Sequence, residues 1–193
     1  METLEAPRTG ATEAGPGDRL ALHVCCGPCA TAVIERLSED WEIQCVWHNP
    51  NIQPLSEHDL RLEAMRTVAE RTQTPLAVLE YEVERWLSLC EGLMQEPEGG
   101  ARCEVCFRMR LEATALWALA QEIGTIASTL SISPHKNVER INAIGREVAA
   151  RHGLRFLEED FKKRGGFQRS IELSREWRLY RQSYCGCVAS MRR

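Results

Sequence analysis

The chain has no apolar run approaching the ~20 residues that a helix needs to span a bilayer, which excludes a membrane-crossing helix. Its opening stretch, Met1–Arg19, lacks even the shorter apolar core of a secretory signal and mixes both charge signs. Neither a signal peptide nor a membrane anchor is therefore expected, and the expected location is cytoplasmic. With no secretory signal and an odd number of cysteines, nine, the sequence argues against a disulfide framework too. Positive charge is in short supply: 24 Lys and Arg face 28 Asp and Glu, a net charge of −4, which argues against a general polyanion binder. No internal repeat is present. Low complexity is confined to a lead rich in Gly, Pro, Ala and Thr, residues 1–18, which is expected to be disordered. The remainder, 19–193, is one domain's worth of chain and long enough to bury a core.

Cysteine is what the chain has in excess. Seven of the nine fall into three tight clusters: Cys25-Cys26-x-x-Cys29, Cys103-x-x-Cys106 and Cys185-x-Cys187. Thiols repeated at such spacing form a ligand pattern rather than a packing pattern. Gathered by folding, they exceed what a structural zinc needs and suit an iron–sulfur centre. Cys45 and Cys90 stand alone in apolar stretches and read as ordinary core thiols.

Along the chain, strands alternate with helices. Leu20–Val24, Glu42–Trp47, Pro75–Tyr81, Thr125–Leu130 and Leu154–Leu157 read as strands. Thr31–Leu37, Ser56–Arg71 with Ser56 as cap, Glu104–Ile123 stopped by Gly124, and Asn137–His152 stopped by Gly153 read as helices. Such alternation implies βαβ units, hence a parallel sheet flanked by helices. In such a fold ligands bind beyond the carboxyl ends of the strands, and Cys25 and Cys26 follow the first strand directly. Pro28 suits an early helix position, so these thiols lie near a helix N-terminus that favours the thiolate. Cys103 and Cys106, at i and i+3, share a helix face approached through Gly99-Gly100, and Gly186 lets its two flanking thiols turn toward one centre.

Charge is unevenly spread. The segment 161–193 holds nine Lys and Arg against two Glu, net +7, whereas the first 160 residues sum to −11. A basic segment on an acidic body is the footprint of a localised phosphate contact, and Lys162–Arg169 reads as a loop following a nucleic-acid backbone.

Taken together, LHVCCGPCA (22–30), WHNPNIQPLSEHDLR (47–61), RCEVCFRMRL (102–111), TLSISPHKN (129–137) and RGGFQRSIELSREWRLYRQSYCGC (164–187) resemble the QueH-type epoxyqueuosine reductases. The resemblance runs from about Arg19 to Cys187. One departure is Gly27, where the family carries a larger residue. The resemblance implies an adenine-nucleotide α-hydrolase-like α/β fold with a cysteine-rich metal site at the carboxyl edge of the sheet. It also implies a reaction: the wobble-position base epoxyqueuosine, in tRNA, loses its epoxide oxygen as water by taking up two electrons and two protons. A [4Fe-4S] cluster passes one electron at a time, and an additional iron ion beside it supplies a Lewis acid for the oxygen. Electrons would come from a ferredoxin- or flavodoxin-like donor.

On this reading Cys25, Cys26, Cys103 and Cys106 are expected to hold the cluster. Cys29, Cys185 and Cys187 hold the second iron, or Cys185 and Cys187 cycle as a dithiol; spacing does not fix the partition. His48, Asn49 and Asn51 follow the second strand and are candidates for the base, its diol and, through His48, the leaving oxygen. A plain turn explains Asn49-Pro50-Asn51 as well. Ser133, His135 and Lys136 follow a later strand and are expected to line the site or meet phosphate. Arg164 and Arg169 are expected on the tRNA backbone, with Tyr184 stacking on a base. His23 abuts the cysteines and could tune the centre from behind its ligands, while His58 and His152 read as structural.

Three competing readings remain at this point: a zinc-stabilised nucleic-acid-binding module, a thiol–disulfide oxidoreductase, and an ATP-using tRNA adenylating enzyme. The second leaves the vicinal cysteines and basic segment unexplained. The third needs a Ser-Gly-Gly phosphate loop after the first strand, where this chain has Cys-Cys-Gly-Pro-Cys.

Overall fold

The computed structural model describes residues 18–191. The expected disordered lead lies outside the described residues except for Asp18, which opens the first strand. Five parallel strands, β1 (Asp18–His23), β2 (Trp41–Trp47), β3 (Leu76–Val78), β4 (Thr125–Ser128) and β5 (Arg155–Phe156), form one sheet in the order β3-β2-β1-β4-β5. Helices α1 (Gly27–Leu37), α2 (Leu55–Thr72), α3 (Val83–Leu89), α4 (Ala101–Ala120), α5 (Val138–Arg151) and α6 (Gly166–Glu176) flank it. The architecture is the α/β parallel sheet that the strand–helix alternation implies.

Strand alternation divides the core. Leu20 and Leu22 join Val33, Ile34, Trp47 and Met65 in one apolar cluster, while Ala21 faces the other with Leu111, Ile126 and Ile144. A central strand buried on both faces must be apolar at every position, which is why Leu20–Val24 was recognisable. Cys45 lies wholly buried in the first cluster, where burial pushes its thiol up to about 12. Cys90 is also fully buried, but it packs beside Trp86, Cys106 and Cys187 rather than in an isolated core position.

Several boundaries differ from expectation. Helix α1 starts at Gly27, not Thr31, because Cys26 caps it: its sulfur accepts the Cys29 N–H at 3.4 Å and Pro28 sits in the first turn. Pro54, not Ser56, precedes α2. The fourth strand stops at Ser128 and becomes a 3₁₀ turn, Thr129–Ile132, as the Ser128 hydroxyl accepts the Leu130 N–H. Helix α4 ends at Ala120 through Gln121 and the left-handed Glu122 (φ 57°), ahead of the expected glycine stop. Helices α3 and α6 were not expected. The segment read as a loop, Lys162–Arg169, turns into α6 at Gly166, where the chain passes so close to the Phe161 carbonyl that a Cβ would collide with it.

Gly27 has a packing reason. A Cβ built there would lie 2.6 Å from the Ala64 carbonyl oxygen, so the first turn of α1 uses the missing side chain to settle against α2. Gly27→Ala is expected to cost about 1–3 kcal/mol through overpacking. Urea denaturation of the variant against the parent checks this; equal midpoints and slopes would refute it.

Candidate metal centre and substrate cleft

Strand β1 pairs with β2 on one side and β4 on the other, so their carboxyl ends open on a common crevice. Cys25 enters it directly after β1. Its N–H donates to Thr129 Oγ1, just past the end of β4 (3.1 Å), and the Thr129 hydroxyl donates to Cys25 Sγ (3.4 Å). The sulfurs of Cys25, Cys26 and Cys29 all lie within 4.8 Å of one another. Thiols so close share their first ionisation. Hydrogen bonds from the Cys26 and Cys29 thiols, with help from Arg110, hold Cys25 well below the usual thiol range. The same contact with Cys25 pushes Cys26 up to about 12 and Cys29 well above its ordinary value.

The second group forms around α4. Cys103 and Cys106 lie on one helical face and, with Cys185 and Cys187, line a cavity of about 30 Å³. The Gly99 N–H donates to Cys103 Sγ at 3.2 Å. Burial raises all three of Cys103, Cys106 (to about 11) and Cys187. A neighbouring cavity of about 50 Å³ is bordered by Cys25, Cys29 and Cys185. Cys185, Arg110 and Lys136 border both, so the three sequence clusters meet at one place. Every cysteine is a free thiol.

This donor set fits a soft metal centre: seven thiols, three already at ligating separation, with cationic walls to favour thiolates. Two buried polar atoms at the thiol cavity, Asn51 Oδ1 and Gln182 Oε1, have no hydrogen-bond partner. Orphaned acceptors of this kind are costly unless a ligand donates to them. Beyond Cys29 and Cys185 the space opens into a cleft of about 420 Å³ bordered by Ser133, His135, Lys136, Arg181, Gln182 and Tyr184.

Among the expected substrate residues, Asn51 therefore borders the thiol cavity, Ser133 and Lys136 border both cavity and cleft, and His135 and Tyr184 border the cleft. Asn49 is instead spent internally, donating to the Val24 carbonyl (2.9 Å) and accepting from Arg110 (2.5 Å). His48 is buried, borders neither space, and lies 3.5 Å from Glu82; burial lowers its pKa to about 4, so the ring is neutral near pH 7. Arg164 is exposed in the turn before α6. Arg169 lies on α6 in a bidentate pair with Glu35 (2.7 and 2.9 Å). His23 is buried behind the cysteines, bonded to Ser128 (2.9 Å) and Arg110 (3.3 Å). His58 accepts from Trp47 Nε1 (2.9 Å), and His152 pairs with Glu112 (2.5 Å).

Sequence reasoning missed Arg61, Arg110 and Gln182. Arg110 stands one helical turn after Cys106 on the same face, a signal that was available. Gln182 donates to Cys26 Sγ at 3.2 Å, a contact that only the folded chain reveals. Arg61 delivers the last cysteine pair. Its Nε pairs with Glu57 (2.7 Å), its terminal nitrogens donate to the Cys185 (3.0 Å) and Tyr184 (3.2 Å) carbonyls, and it stacks over the Tyr184 ring at 5.0 Å. Tyr180 closes the arrangement by donating to Glu57 (2.7 Å), and Gln53 N–H holds the Gly186 carbonyl (2.9 Å). Arg61→Ala would leave Glu57 buried without its cation and is expected to cost about 3–5 kcal/mol. It should also speed alkylation of Cys185 relative to Cys45, read by mass spectrometry. Unchanged denaturation and unchanged alkylation would refute the clamp.

A family model described as Epoxyqueuosine reductase QueH matches residues 20–193. An epoxyqueuosine reductase QueH of Staphylococcus epidermidis is 37% identical over 182 residues, covering 90% of this chain and 76% of its own length. Its Streptococcus pyogenes counterpart is 40% identical over 175 residues (88% and 69%), and that of Thermotoga maritima 36% identical over 173 residues (88% and 88%). Among solved structures, the U34-tRNA thiolase NcsA from Methanococcus maripaludis with its [4Fe-4S] cluster superposes with a TM-score of 0.51. That likeness covers 90% of this chain and 61% of the other at 10% identity, and shows the fold alone. The family match takes in all three cysteine clusters, and the chain belongs to the epoxyqueuosine reductase QueH family.

Proposed function

We propose that this protein reduces epoxyqueuosine in tRNA to queuosine in the cytoplasm, drawing electrons from a ferredoxin- or flavodoxin-like donor. The observation that carries the reading is the convergence of seven free thiols beside an open cleft at the carboxyl edge of the sheet. The balance is two electrons and two protons in, both epoxide C–O bonds broken, a C=C bond formed, and water out. When bound, a [4Fe-4S] cluster and an additional iron ion supply one-electron transfer and Lewis acidity.

The thiols group as four and three. Cys103, Cys106, Cys185 and Cys187 border one cavity, the number of thiolates a [4Fe-4S] cluster takes, and Cys25, Cys26 and Cys29 form a separate triad suited to a single iron. This division differs from the pairing of Cys25 and Cys26 with Cys103 and Cys106 taken from the resemblance. It also leaves Cys185 and Cys187 as ligands rather than a cycling dithiol.

The protein's remaining groups have distinct tasks. Asn51 Oδ1 and Gln182 Oε1 are acceptors awaiting the donors of the modified base. Lys136, whose Nζ lies 3.9 Å from Cys185 Sγ and which borders the cleft, is placed to deliver a proton to the departing oxygen. His48 is screened from the cleft by its burial and takes no part in that delivery. Tyr184 offers a ring at the cleft, although its hydroxyl is committed to the Gln53 carbonyl (2.5 Å). Arg164 is free to meet phosphate, whereas Arg169 must first exchange its bond with Glu35.

Anaerobically purified protein is expected to hold about four sulfides with four or five irons and to convert epoxyqueuosine tRNA. One zinc with no sulfide, persisting after reconstitution, would leave a zinc-stabilised binding module instead. Within the reading, Cys25→Ser is expected to keep its sulfide and lose one iron, while Cys187→Ser loses both iron and sulfide. Loss of sulfide in Cys25→Ser with retention in Cys187→Ser would favour the pairing drawn from the resemblance.

A further inference from the structure

Three arginines are buried among the described residues to 3% exposure or less: Arg61, Arg102 and Arg110. Arg61 is neutralised by Glu57, and Arg102 donates to the carbonyls of Leu93, Met94 and Glu96. Among the described residues Arg110 bonds neither a carboxylate nor a backbone carbonyl. Its Nε donates to His23 Nε2 at 3.3 Å, its Nη2 to Asn49 Oδ1 at 2.5 Å, and its Nη1 faces Cys106 Sγ at 3.9 Å.

The protonation of that set is fixed by its own geometry. Because Nε2 of His23 must accept from a guanidinium that never deprotonates, the ring proton sits on Nδ1 and is donated to Ser128. The ring is therefore neutral. Asn49 spends its amide nitrogen on the Val24 carbonyl, which presents its oxygen to Arg110. Two of the three contacts are thus neutral, and among the described residues no carboxylate forms an ion pair with Arg110. A buried cation without an anion is strongly unfavourable. The remaining candidates for its counter-charge are the sulfurs, and Arg110 borders both thiol cavities.

We propose that Arg110 is the charge-balancing residue of the thiolate centre, raising the potential at which the bound iron–sulfur group takes up an electron. The inference rests on the reductase reading above. Each electron added to a thiolate-held cluster makes its surroundings more negative, and a fixed cation in a poorly solvated position stabilises that reduced state. Lysine would keep the charge but not the fork; glutamine would keep polar contacts but not the charge. A residue that merely braced Asn49 and His23 would make the opposite distinction.

The test is an EPR-monitored redox titration, with dithionite as reductant, of the anaerobically reconstituted holoprotein and its Arg110→Gln, Arg110→Lys and Asn49→Ala variants, with iron and sulfide measured in each. Arg110→Gln is expected to make the one-electron reduction at least tenfold less favourable, a midpoint lowered by 59 mV or more. Arg110→Lys and Asn49→Ala should stay close to the parent. Should Arg110→Gln fail to retain iron, retention by Arg110→Lys supports the charge requirement, and failure of both alike overturns it. A full iron complement with an unchanged midpoint in Arg110→Gln also overturns it. Failure of the reductase reading is distinguishable, because it shows in the parent as a colourless protein without sulfide, whereas failure of this inference shows only in the variants.

Discussion

The structure depends on one strand being paired twice. β1 lies between β2 and β4 with all three parallel, so three strand ends stop at one edge and the chain leaves them in different directions. That divergence makes the crevice. It also explains why Cys25 can be bound from across the sheet by Thr129, a residue more than a hundred positions away. Parallel pairing requires each connection to pass over a face, and those connections are the helices whose ends carry the thiols. Cys26 caps α1, and Cys103 sits in the first turns of α4. The sheet thus fixes where cysteines can meet before any metal contributes.

Chain-end docking follows a different logic. Among the described residues, those after α6 form no strand, so no ladder of backbone bonds holds Cys185 and Cys187 in place. Side chains from α2 do that instead. Arg61 is buried, yet each of its three nitrogens donates, one to a carboxylate and two to carbonyls, which balances the charge while pinning the backbone next to Cys185. Gly186, at φ 110°, passes against Arg61 and Ile52 with no room for a side chain. The Cys-Gly-Cys spacing is therefore a docking requirement as much as a ligand pattern.

How far the sequence could be read depended on the range of the interaction. β1, β2 and α5 were legible because burial of a strand on both faces and of one helical stripe leave local periodicities. So were the three cysteine clusters. The start of α1 was misplaced because its cap is a thiol, an acceptor outside the usual Ser, Thr, Asp and Asn set. α6 was missed because its start lies within a basic run with a glycine pair, Lys162–Arg169, which reads as a loop, although the helix that follows is amphipathic. The burial of His48 was not legible for a related reason. Position after a strand end suggests access to the crevice, but whether a side chain turns toward it or into the wall depends on contacts with Glu82 that lie far along the chain. Arg110's place one turn after Cys106 was legible, but only tertiary packing shows that it and Arg61 are sealed from water.

The charge distribution changes meaning once these positions are known. The basic segment is partly absorbed by the protein itself: Arg169 answers Glu35, and Lys162 and Lys163 lie 3.6 and 3.7 Å from Asp160. Its positive charge is less a general attractant than the sum of local pairs with a few cations that form no ion pair among the described residues, such as the exposed Arg164 before α6 and Arg181 at the cleft, which bonds the Ser174 hydroxyl. The metal centre works the other way round. There the cations Arg110 and Lys136 face sulfur and form no ion pair with a carboxylate among the described residues, so the cavity is incomplete until negative charge fills it. Cys25, held low by its neighbours, supplies part of that charge in the fold itself, and the raised thiols Cys26, Cys29, Cys103, Cys106 and Cys187 add theirs when a metal takes their protons' place. On the proposed reading, deprotonation of the thiols and uptake of metal are in this way one coupled equilibrium. A protein that must keep a reducing centre away from water gains from that coupling, because the pocket acquires its electrostatic balance at the step that loads it.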